Sequence, residues 1–79
     1  MLIKRTKPNT KTVIIPGVKL RIISELIKQG LENEEIVDET GYSMQTVKWN
    51  VSHLMGLYSV YSRLRLIVAL QKEDDKHGR

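Results

Sequence analysis

The stretch SMQTVKWNVSHL, residues 43 to 54, gathers the side chains best able to do chemistry in this chain: Gln45, Thr46, Lys48, Trp49, Ser52 and His53. On a helix turning about 100° per residue, Val47, Val51, Leu54 and Tyr58 make one apolar stripe. Gln45, Lys48, Trp49, Ser52 and Gly56 fall on the opposite side, with His53 at its edge, and Trp49 stands about 200° from Val47. That outer face carries one cation, several hydrogen-bonding groups, one large aromatic and no carboxylate. The chemistry it suits is non-covalent recognition of a polyanion. An ammonium, amides and hydroxyls meet phosphate oxygens and base edges, whereas a carboxylate there would repel phosphate.

Each residue also has a plainer use. Lys48, Gln45, Ser52 and His53 are all polar enough to face solvent without a role, and Trp49 is open to packing on the N-terminal segment or in a protein interface. No catalytic constellation stands beside them: there is no serine, histidine and acid set on predictable faces and no glycine-rich phosphate loop. Glu34 and Glu35 are neighbours that point in two directions on a helix. With no cysteine there is no thiolate metal site, and with only His53 and His77, far apart in the chain, a zinc site is not expected. The expectation is a protein that is not an enzyme, with no cofactor and no metal.

The elements that must position this face follow from periodicity. The chain is 79 residues long, enough for one domain. A core this small seldom supplies more than ~3–5 kcal/mol without disulfides, metals, partner subunits or regular helix packing. Residues 1–17 contain both prolines and no helical period, and read as an arm, with VIIPG as a short strap or strand-like tail. Val18, Ile22, Ile23, Leu26 and Ile27 predict the buried face of a first helix, stopped by Gly30. A short second helix starts at Glu32 or Asn33 with acids in its first turn and ends near Glu39 or Thr40, with Ile36 and Val37 inward. TGYS makes a turn in which Ser43 caps a third helix over about 44–57. A break over 59–61 and a cap at Ser62 lead to a last helix through Gln71 or Lys72. The domain thus spans 18–72, followed by a polar tail, 73–79, expected to fray.

The second and third helices, joined by a glycine-containing turn, form a helix-turn-helix unit whose second member fits a major groove about 12 Å wide. The charges agree. Residues 1 to 28 hold seven Lys or Arg against one acid, residues 32 to 39 hold five acids and no base, and the net charge is +4; such separation presents a basic surface suited to nucleic acid. Lys4, Arg5, Lys7 and Lys11 suit an arm along the DNA backbone, as in other helix-turn-helix proteins, or a solubilising tail. The run LRLIVAL is apolar over a wide arc, with Leu66 and Leu70 on one line and Leu64, Ile67 and Val68 on another. A terminal helix of this kind predicts a homodimer that buries its second side. No apolar run approaches the ~18 residues that cross a bilayer, and the expectation is a soluble, cytoplasmic protein.

Three blocks carry a family resemblance: GLENEEI at 30–36, SMQTVKWNVSHL at 43–54 and VYSR at 60–63. With them, residues 18–69 resemble the DNA-binding domain of the LuxR/FixJ type, including its stand-alone GerE-like members, without a gap. The resemblance implies an all-α, compact four-helix helix-turn-helix domain, a transcriptional regulator that acts as a dimer on inverted half-sites of double-stranded DNA. Carried over residue by residue, Lys48, Trp49 and Ser52 match base-contacting positions and Thr46 a phosphate-contacting threonine. The fourth helix then makes the dimer, through Leu64, Ile67, Val68 and Gln71. The acid-rich face of the second helix turns away from DNA, toward RNA polymerase or another regulator. A protein-interaction module of the same fold is the alternative function. The sequence looks like a divergent member: Leu20 and Arg21 stand at positions matching the family's paired arginine-glutamate, Asn50 stands where the family has a histidine, and Arg63, lacking its usual acid, is expected to pair with Glu25 or Glu34.

Overall fold

Helix boundaries fall where the backbone chemistry of the sequence changes. The structure, a computed structural model, describes residues 15–78, with side chains described as far as residue 73. Within it lie α1 (Val18–Lys28), α2 (Asn33–Thr40), α3 (Met44–Tyr58) and α4 (Arg63–Gly78). The fold is all-α, and no strand occurs among the described residues. Gly30 and Gly41 follow α1 and α2 with φ of +95° and +80°, the left-handed region that glycine enters without strain. The Gly41 N–H also closes the end of α2 by donating to the Val37 carbonyl at 2.8 Å.

At the start of α2 the Glu35 carboxylate accepts from the Glu32 backbone N–H at 2.7 Å, half of a capping box. Ser43 caps α3 by accepting from the Thr46 N–H at 3.1 Å, and Ser62 caps α4 by accepting from the Arg65 N–H at 3.1 Å. The break between α3 and α4 is made by Ser59, which takes φ of +54°.

The core is a single cluster drawn from all four helices. Ile23 and Ile27 of α1, Ile36 of α2, Val47 and Leu54 of α3 and Leu66 of α4 are completely buried. Each contributes about 1.5–3 kcal/mol relative to exposure. Tyr42, in the turn before α3, packs half-buried against this cluster, as does Ile15, the described end of the VIIPG segment. α3 packs on α1, α2 and α4, whereas the backbones of α2 and α4 do not approach each other closely among the described residues.

Two expectations are corrected. α1 buries Leu20, Ile23, Ser24 and Ile27, while Val18 and Ile22 stand 64% and 39% exposed. The helix carries two apolar lines, and the packing of α3 and α4 selects the one through Leu20 and Ile27. Ser24 tolerates burial because its hydroxyl donates to the Arg21 carbonyl at 2.8 Å. Second, α4 does not stop at Lys72 but runs to Gly78. No glycine or proline interrupts it before that residue, and the Tyr58 hydroxyl ties it to α3 by donating to the Glu73 carboxylate at 2.6 Å.

Candidate nucleic-acid interface

The rotation of α3 about its axis is set by Val47, Val51 and Leu54, all buried. It follows that Gln45, Lys48, Trp49, Ser52, His53 and Gly56 are turned outward, and all six are exposed. Trp49 is 67% exposed, so the largest aromatic of the chain spends its apolar surface on water instead of the core. The indole therefore does not pack on the core, and of its two plainer uses packing on the N-terminal segment before residue 15 lies outside the described residues.

The first turn of the helix is pre-organised by its own hydroxyls. Ser43 Oγ donates to Thr46 Oγ1 at 3.0 Å while capping the Thr46 N–H, which leaves Thr46 half-buried with its hydroxyl oriented by the cap. Asn50 is occupied within the helix, its Nδ2 donating to the Thr46 carbonyl at 2.7 Å. The outer face therefore has the composition expected from the sequence, on a rigid helix anchored to the other three.

Lys4, Arg5, Lys7 and Lys11 lie outside the described residues. On α4, Leu64 and Val68 are 71% and 45% exposed and line a shallow groove of about 380 Å³ with Val60, Arg65, Ala69 and Lys72. Ile67 is half-buried and packs on the core. Gln71 is exposed but engaged within the chain, its Nε2 donating to the Lys28 carbonyl at the end of α1 at 3.2 Å. Tyr61, 95% exposed at the junction before α4, was not marked by the sequence, since an aromatic in a helix junction reads equally well as core.

Arg63 does not pair with Glu25 or Glu34. Its Nη1 donates to Asn33 Oδ1 and its Nη2 to the Leu31 carbonyl, both at 2.7 Å, with Glu32 Oε1 3.8 Å from Nε. The guanidinium at the head of α4 reaches the start of α2, where these acceptors converge. The fold alters the titration of Tyr58. Burial, then the hydrogen bond to Glu73 and the charge of that carboxylate, push its hydroxyl well above the ordinary phenol range. Among the described residues no helix is long and apolar enough to cross a membrane.

Comparison of the chain with protein-family models, with curated proteins and with solved structures found no match.

Proposed function

We propose that the protein is a sequence-specific DNA-binding transcriptional regulator of LuxR/FixJ type, acting in the cytoplasm as a dimer on inverted half-sites. The observation that carries this reading is the outer face of α3, with Gln45, Lys48, Trp49, Ser52 and His53 exposed together and no carboxylate among them. In this reading α3 lies in the major groove. Lys48 and Ser52 reach phosphate or base edges, Trp49 meets a thymine methyl or the sugar-phosphate wall, and Thr46 faces the backbone. The exposed Leu64 and Val68 of α4 meet their counterparts in a second copy. Selection of bound sequences from a random duplex pool tests the reading. The expected product is an inverted repeat with half-site centres about one helical turn apart, and recovery of no preferred sequence contradicts it.

A second reading keeps the fold and changes the partner. Glu34, Glu35, Asp38 and Glu39 are exposed on α2, an acidic face suited to a basic surface of RNA polymerase or another regulator. Failure to bind any duplex at low salt favours this protein-interaction module.

A further inference from the structure

We propose that Lys19, in the first turn of α1, is a further phosphate-contacting residue, holding the DNA backbone beside the start of α3. The proposal rests on the reading that α3 enters the major groove. Burial of Leu20, Ile23 and Ile27 fixes the rotation of α1, which places Lys19 and Arg21 on opposite flanks, about 160° apart at 100° per residue. The Lys19 flank faces the turn between α2 and α3: its Nζ lies 5.0 Å from the centroid of the Tyr42 ring, inside the ~6 Å range of a cation–π contact. Tyr42 is the residue immediately before the Ser43 cap of α3, and its ring is itself seated on the core.

What separates Lys19 from other located cations is that its position is fixed without a carboxylate. Lys28 is paired with Glu25 at 3.0 Å, and Arg63 is spent on Asn33 and Leu31. Among the described residues no carboxylate lies within ion-pairing distance of Lys19. The ring attracts the ammonium while leaving its charge without a carboxylate partner and those of its three donors that are not directed at the aromatic face available to a phosphate. The side chain is exposed. A recognition helix reads bases chiefly with its N-terminal residues, so the strands bordering the groove pass close to that end, where Lys19 stands. Lys48 lies one turn further along α3, so the two cations would engage the backbone at separate points.

The test compares duplex binding by the full chain and its Lys19→Gln, Lys19→Arg, Arg21→Gln and Lys48→Gln variants from about 50 to 200 mM salt, with helix content checked by circular dichroism. One lost phosphate contact lowers the slope of log K against log salt by about 0.9. Lys19→Gln is expected to lose that much, equally on selected and random duplexes because phosphate carries no sequence information. Lys19→Arg is expected to restore the slope, and Arg21→Gln, an equal change of charge on the opposite flank, to keep it. An unchanged slope for Lys19→Gln, or an equal loss in Arg21→Gln, overturns the role of Lys19. If Lys48→Gln still weakens binding in that case, the groove reading stands alone. Absence of duplex binding by the unaltered chain at low salt overturns both.

Discussion

The Arg63 guanidinium at the head of α4 donates to the side-chain oxygen of Asn33, the first residue of α2, at 2.7 Å. Because the backbones of α2 and α4 do not approach each other closely, this contact and its companion to the Leu31 carbonyl tie the two ends of the fold together. Hydrogen bonds from a charged donor contribute about 1.5–3 kcal/mol each when well buried, and Arg63 is half-buried. Arg63→Ala is therefore expected to lower the unfolding free energy by about 2 kcal/mol, read from the denaturant midpoint. Arg63→Lys should recover little, since an ammonium does not reproduce the two-pronged geometry of the guanidinium. The Glu32 contact, at 3.8 Å with an exposed carboxylate, adds little.

The bond between Tyr58 and Glu73 predicts an alkaline transition. Folding raises the pKa of the Tyr58 hydroxyl, so the native state favours the protonated phenol. The resulting stabilisation is present in full below the unfolded tyrosine value of about 10 and is lost as pH rises beyond it. Tyr58→Phe is expected to be less stable than the parent chain by about 1 kcal/mol at neutral pH. That difference should shrink above about pH 10, as measured by denaturation across pH, and a constant difference would refute the coupling.

Two glycines should respond in opposite directions to alanine. Gly41 sits at φ of +80°, where a side chain costs about 1–2 kcal/mol, so Gly41→Ala is expected to lower the melting temperature. Gly56 lies inside α3 with nothing within 4 Å of an added Cβ. Gly56→Ala should stabilise the helix by about 0.5–1 kcal/mol and raise the melting temperature.

The outer side of α4 predicts a separation of folding from assembly. Leu64 is 71% exposed in the single chain, so Leu64→Glu removes no core contact. Helix content should be retained while sedimentation shifts from dimer to monomer. A parent chain that sediments as a monomer at high concentration contradicts the dimer.

Much of this was legible from local chemistry. The boundaries of α2 and α3 follow from Gly41 and Ser43, whose roles are decided within four residues of chain, and the stripe Val47, Val51, Leu54 has no competing apolar line on the opposite side of α3. α1 was harder, because Val18 and Ile22 form as good an apolar line as Leu20 and Ile27, and only the packing of the other helices chooses between them. The partners of Arg63 lie 30 and 32 residues away in sequence. One of them is a backbone carbonyl, which no pattern of side chains announces. The length of α4 was missed for a related reason: its polar end lacks the apolar period that marks a packed helix, yet contains strong helix formers and is tied to α3 through Glu73. The outward face of α3 was readable because exposure there is the complement of a well-defined core stripe.

Duplex binding by Lys48→Ala and Trp49→Ala across a salt series tests the central claim most directly. The parent chain is expected to bind at low salt and to weaken steeply as salt rises. Each variant should bind its selected sequence more weakly with helix content unchanged. Parent-like binding by both variants would contradict the assignment of this face, and absence of binding by the parent chain at low salt would contradict the account as a whole.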